Sequence, residues 1–134
     1  MKMKAAGMVL FLVLAVGLMV SSAQNKKSRA MKEFMRDKLE LAQGILEGLS
    51  VENYDLITSR AQRLSAMSQQ ADWKVFENPD YEQQSFAFRR NVDSLTKAAK
   101  NKNLDGATLA YVRVTMSCIE CHKYVRGRLV ASLN

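Results

Sequence analysis

Near the C-terminal end of the chain stand Cys118-Ile119-Glu120-Cys121-His122, two thiols and an imidazole within five residues. In a Cys-x-x-Cys-His run, two thiols can add across the vinyl groups of a haem while the adjacent imidazole takes its iron from one side. The spacing suits a helix. Cys118 and Cys121 lie one turn apart on one face, so both sulfurs reach one edge of a flat macrocycle, and His122, at i+4 from Cys118, points over its plane. Two plainer readings use the same residues. A dithiol redox pair of thioredoxin type belongs beside a βαβ pattern, and the flanks Tyr111-Val112-Arg113-Val114-Thr115-Met116-Ser117 and Lys123-Tyr124-Val125-Arg126 lead into none. A zinc site takes about four ligands, whereas the chain holds two Cys and one His, so a carboxylate or a second chain would have to complete it.

An iron bound by one imidazole has a sixth position, and what fills it separates electron transfer from ligand binding. His122 is the only histidine, which excludes a bis-His site within one subunit. Met, Lys, a solvent molecule or nothing are the remaining occupants. Of the eight Met, four fall in the first 23 residues, and Met116 precedes Cys118 by two residues, where it cannot reach the opposite face of the ring. Met31, Met35 and Met67 are left. Met31 and Met35, at i and i+4, project from one helical face with Phe34 beside them. A Met on an apolar helical face is more often core filler than a ligand.

Positioning these groups requires helices, and the sequence supplies the pattern for four. Residues 1–23 have the parts of a secretory signal: Lys2 and Lys4, an apolar run from Met8 to Val20, and the small residues Ser21-Ser22-Ala23 before a cleavage point. The run is shorter than a membrane span usually needs, so contact with a membrane is expected only through this leader before its removal. Export, to the periplasm or otherwise, follows as the expectation. Residues 24–134 then form one domain of 111 residues, large enough for one core.

The formal charge of +7 falls to +5 without Lys2 and Lys4, and its basic residues are interleaved with acids over most of the length. That is a solvated helical surface and not a nucleic-acid footprint, although it could steer an acidic redox partner, whose identity the sequence does not give. Both cysteines are consumed by the attachment, so no disulfide framework is implied.

Helices are expected at about 26–48, 51–71, 79–101 and 104–131. The first carries Met31, Met35, Ala42, Ile45, Leu46 and Leu49 at three- and four-residue steps and ends near Gly48. The second, capped near Ser50, carries Tyr54, Ile57, Ala61, Leu64, Met67 or Ser68, and Ala71. A crossing loop from Trp73 leads to Asn78-Pro79-Asp80, a cap, a proline at the first helical position and an acid favoured by the helix dipole. The third stripe is Tyr81, Ser85, Phe88, Val92, Leu95 and Ala99, and the fourth is Ala107, Tyr111, Val114, Cys118, Cys121, Val125 and Leu129. Both cysteines therefore fall on an apolar stripe. The expected fold is all-α, an antiparallel up-down four-helix bundle with one covalently attached haem c, and short loops favour antiparallel neighbours.

Four amphipathic helices with Cys118-Ile119-Glu120-Cys121-His122 close to the end, followed by Arg126 four residues after the histidine, resemble cytochrome c′ and its low-spin relatives of the cytochrome c-556 type. The resemblance implies that Arg126 lies near His122 and influences its basicity. It also implies that Met35, in the segment Met35-Arg36-Asp37-Lys38, is the second axial ligand, with Met31 as the fallback. One departure is visible: the Trp that members often carry near the start of the third helix is absent, and Tyr81, Phe86 and Phe88 occupy that region.

Two functions are expected from these residues. The first is an exported electron carrier, not an enzyme, with His122/Met35 ligation. The alternative is a five-coordinate, cytochrome c′-like protein that binds NO or CO. In such relatives homodimers form through the first two helices, but no uninterrupted apolar stripe in the sequence requires one here. Under either function, Cys118→Ser together with Cys121→Ser abolishes covalent haem, measured as haem staining of the denatured chain; stain retained by the double variant refutes the attachment.

Overall fold

The computed structural model describes residues 2–132, with side chains from Asn25 to Ser132. It contains α1 (Lys2–Ser50), α2 (Tyr54–Met67), α3 (Pro79–Lys100) and α4 (Leu104–Ala131), with one 3-10 turn at Ala71–Trp73 between α2 and α3. No strand occurs among the described residues. The leader expected over residues 1–23 lies outside the residues whose side chains are described. No described helix is long and apolar enough to cross a membrane.

The chain divides into two compact units, Met1–Arg36 and Asp37–Asn134, with α1 contributing to both. In the first unit Phe34 is buried and Met31 and Met35 are half-buried. Arg29 Nε and Glu33 Oε1 pair at 3.3 Å across one turn. Both side chains are exposed, so the pair adds little stability.

In the second unit the contacts set the helix directions. Tyr124 Oη donates to Asn78 Oδ1 at 2.8 Å, and Asn91 Nδ2 donates to Ser117 Oγ at 2.8 Å. Residue number thus rises along α3 as it falls along α4. Gly44 lies against Arg60 and Gly48 against Ile57, so the last turns of α1 run against α2 in the same antiparallel sense. Tyr111 Oη ties α4 to α1 by donating to the Ala42 carbonyl at 3.1 Å. The centre is filled by Ile45, Ile57, Leu64, Val92, Leu95 and Val114, all essentially inaccessible to solvent.

The caps follow from sequence chemistry. Asn53, Asn78 and Asn103 each accept a hydrogen bond from the backbone N–H three residues on, and Pro79 occupies the first turn of α3. The α3 stripe is buried at all six expected positions. Elsewhere the boundaries differ. α1 continues two residues past Gly48, because that glycine is not a stop but the point where Ile57 packs closest. α2 begins at Tyr54 and not at 51: Glu52 takes a positive φ of 53°, and Asn53 rather than Ser50 supplies the cap. It ends at Met67, so that Ala71–Trp73 forms a separate turn.

α4 is apolar on two opposite faces. Ala107, Ala110, Val114 and Ser117 turn inward, while Leu109, Val112, Met116 and Ile119 remain exposed at steps of three and four. This is an exposed apolar stripe that the sequence reading did not separate from the buried one. Leu129, expected on the inner stripe, is exposed, as is Leu46 on α1.

The two helical glycines at 48 and 127 give opposite expectations. A Cβ at Gly48 would meet Ile57 Cγ1 at 2.8 Å, whereas one at Gly127 meets nothing within 4 Å. Gly48→Ala therefore lowers stability by about 1–3 kcal/mol through overpacking, and Gly127→Ala raises it by about 0.5–1 kcal/mol through helix propensity. Urea midpoints of the two variants measure both, and equal shifts of one sign would refute the packing assigned to Gly48.

Candidate functional site

The site is built on the second half of α4. Its first half is anchored by Ala107, Ala110, Val114 and Ser117, and one turn further on the inward face presents Cys118 and Cys121, both half-buried free thiols. His122 is turned outward enough to be exposed. The i, i+3 and i+4 relation expected for this run is thus realised on a continuous helix.

Lys38, whose charge acts on both thiols, and Tyr81, which senses Cys121, belong to an aromatic cluster organised by Trp73. Its indole is buried, its Nε1–H donates to Ser85 Oγ at 2.9 Å, and its carbonyl accepts a bond from Tyr81 Oη. Ser85 Oγ in turn donates to the Tyr81 carbonyl at 2.9 Å, so three side chains close a small network within the core. Phe88 stacks on the indole at a centroid distance of 4.8 Å, and Phe76 stands edge-on to both Tyr81 and Tyr124. Tyr81 is close enough to Cys121 to feel its charge, and burial, the larger effect, raises the Tyr81 hydroxyl above its ordinary pKa.

One cation sits in this cluster. Lys38 Nζ, from α1, lies 3.8 Å from the centroid of the Trp73 ring. Burial lowers the Lys38 pKa, partly opposed by the charges of Cys118 and Cys121. Reciprocally, burial pushes both thiols up while the Lys38 ammonium pulls them down. His122 is lowered by burial first, then by Lys38 and Arg126. That direction favours the neutral imidazole, the form with a lone pair to give a metal.

The expected site residues are therefore placed as follows. Cys118, Cys121 and His122 stand together on α4, and Arg126, exposed on the next turn, is one of the charges that lower the His122 pKa. Met31 and Met35 belong to the first unit, and Cys118, Cys121 and His122 to the second. Lys38 and Trp73 were missed as site residues. A signal existed for Lys38: it falls at i+4 from Phe34 and i−3 from Leu41, a cation set in the apolar stripe of α1. Trp73 had none, because a single aromatic in a crossing segment has no periodicity to give it a side.

The donor set fits one covalently attached haem: two free thiols a turn apart, an imidazole beside them, and aromatic rings nearby for an apolar macrocycle. Among the described residues, no group of three or more His, Cys, Asp or Glu side chains is placed to hold a metal ion directly. An open groove of about 850 Å³ lies along the α2–α3 side, bordered by Trp73, Phe76, Tyr81, Phe86 and Arg89. It shares the aromatic wall, but its lining contains neither cysteine nor histidine, so it is not the attachment position.

No protein-family model matches the chain, and no curated protein matches it. Solved structures do. One described as cytochrome c′ superposes with a TM-score of 0.61 at 18% identity, over 75% of this chain and 94% of its own. Cytochrome c′ from Thermochromatium tepidum gives a TM-score of 0.61 at 13% identity, over 73% and 92%. A ferrous variant of cytochrome c′ from Alcaligenes xylosoxidans with bound NO gives 0.56 at 19% identity, over 73% and 93%.

The hydrogen bond that holds the cluster together can be tested in isolation. Ser85→Ala leaves the buried Trp73 Nε1–H without its acceptor and costs about 1–3 kcal/mol. In a Trp73→Phe background the same change costs about 1 kcal/mol or less, since the donor is gone. A double-mutant cycle by urea unfolding measures the difference, and zero coupling removes this bond from the account.

Proposed function

We propose that this chain, which has the four-helix fold of the cytochrome c′ structures, is an exported c-type haem protein whose iron keeps its sixth position open for NO or CO. The observation that carries the proposal is the placement of Cys118, Cys121 and His122 at i, i+3 and i+4 on the continuous helix α4, with both thiols half-buried. The order of the two functions read from the sequence is thereby reversed. A solved neighbour holds NO and another holds carbon monoxide, which supports the open-site function over His122/Met35 electron transfer.

Each residue has a part that follows from its environment. Cys118 and Cys121 bind the macrocycle covalently and fix its edge to α4. His122, the only imidazole in the chain and four residues after Cys118, would supply the proximal nitrogen. Trp73, Tyr81 and Phe76 would offer apolar ring surface to the macrocycle. A haem held by these residues would supply an iron able to take a diatomic gas in the ferrous state. Met35 is in this proposal a packing residue of α1 and not an axial ligand.

Absorption spectra of the mature protein, ferric and ferrous, with and without CO, test this. High-spin bands and a clean shift on adding the gas are expected, and Met35→Ala leaves both unchanged. Low-spin bands in both states, indifferent to CO in the parent and opened to it by Met35→Ala, would restore Met35 as the ligand and electron transfer as the function. His122→Ala removes the proximal ligand in either case.

A further inference from the structure

Lys38 stands on α1, outside the attachment run, yet its charge acts on all three residues of that run. Its ammonium is seated at 3.8 Å over the Trp73 ring, and that ring is fixed by Ser85, by Tyr81 and by the Phe88 stack. A cation on an indole face is attracted by the ring quadrupole, more strongly as water is removed. The seat is thus a built position for a charge and not the chance resting place of a flexible lysine. Cys118, Cys121 and His122 each register the Lys38 charge, Cys118 also that of Cys121 and His122 also that of Arg126.

We infer that Lys38 is a positioning residue for redox state, a fixed cation beside the attached haem that favours ferrous over ferric iron. The inference rests on the haem attachment proposed above. Its physics is Coulombic. Ferric iron carries one more positive charge than ferrous, so a cation held nearby destabilises the ferric form more and raises the reduction potential. Partial burial strengthens the effect by lowering the effective dielectric, and a unit charge about 10 Å away at an effective dielectric near 20 changes the ferrous-to-ferric ratio on the order of ten-fold. Reduction adds one electron at the iron and leaves the proton on Lys38. The consequence would be a protein poised in the state that takes diatomic gases.

The test compares wild type, Lys38→Gln and Lys38→Arg as purified holoproteins, titrated potentiometrically with dithionite and ferricyanide and followed by their absorption spectra. Lys38→Gln is expected to keep covalent haem and the wild-type spin state while its potential falls. At the wild-type midpoint its ferrous-to-ferric ratio should drop on the order of ten-fold. Lys38→Arg, which keeps the charge and the cation–π seat, should restore most of the loss.

An unchanged potential in Lys38→Gln overturns the inference, as does a Lys38→Arg variant that behaves like it. A change of spin state in Lys38→Gln also overturns it, because Lys38 would then be an iron ligand. Haem attached in wild type but lost in Lys38→Gln assigns the residue to attachment instead. A wild-type protein that carries no covalent haem defeats the haem function itself, a result readable before any potential is measured.

Discussion

The constraint on which this molecule turns is the double duty of α4. Its first half must bury Ala107, Ala110, Val114 and Ser117 against the other helices, while its second half must keep Cys118 and Cys121 on that same inward face without sealing them. Continuous helix geometry satisfies both, because positions 107, 110, 114, 118 and 121 recur at three- and four-residue steps. The reactive groups are held in register by the packing of the turns before them. Asn91 reinforces this by donating from α3 to Ser117, the residue next to the first thiol.

The second requirement is a wall for the side of the site away from α4, and the segment joining α2 to α3 provides it. Trp73 arrives on a 3-10 turn and is drawn into the core, where its N–H and carbonyl are both satisfied by α3 side chains. A buried indole needs such partners, since an unpaired polar group inside the bundle would cost more than the ring's burial gains in specificity. Once fixed, the indole offers its face to Lys38. A neutral aromatic network thus determines where a charge resides, and the charge in turn biases the titration of the thiols and the imidazole.

How much of this was legible in the sequence depends on the element. α3 was readable at every core position, since a cap, a proline and a single six-residue stripe all agree. The α1–α2 corner was less so. Gly48 carries the composition of a stop, yet the structure uses it for close approach to Ile57, a long-range fact that no local pattern contains. α4 carries apolar residues on two faces, and periodicity alone does not say which turns inward; the burial of Val114 and the exposure of Val112 are decided by α3 and α1.

The sequence by itself determined the chemistry that covalent spacing controls: two thiols and an imidazole at i, i+3 and i+4, four helices with their asparagine caps, and one histidine, which limits the axial ligands. Those properties depend on neighbours in the chain, and a helix converts them directly into geometry. Tertiary structure alone decided that Trp73 lines the site, that Tyr81 and Ser85 hold it, and that Lys38 from α1 stands over its ring. Lys38, Trp73 and Cys118 are separated by dozens of positions, and only the closing of the bundle brings their charges and rings within reach of one another.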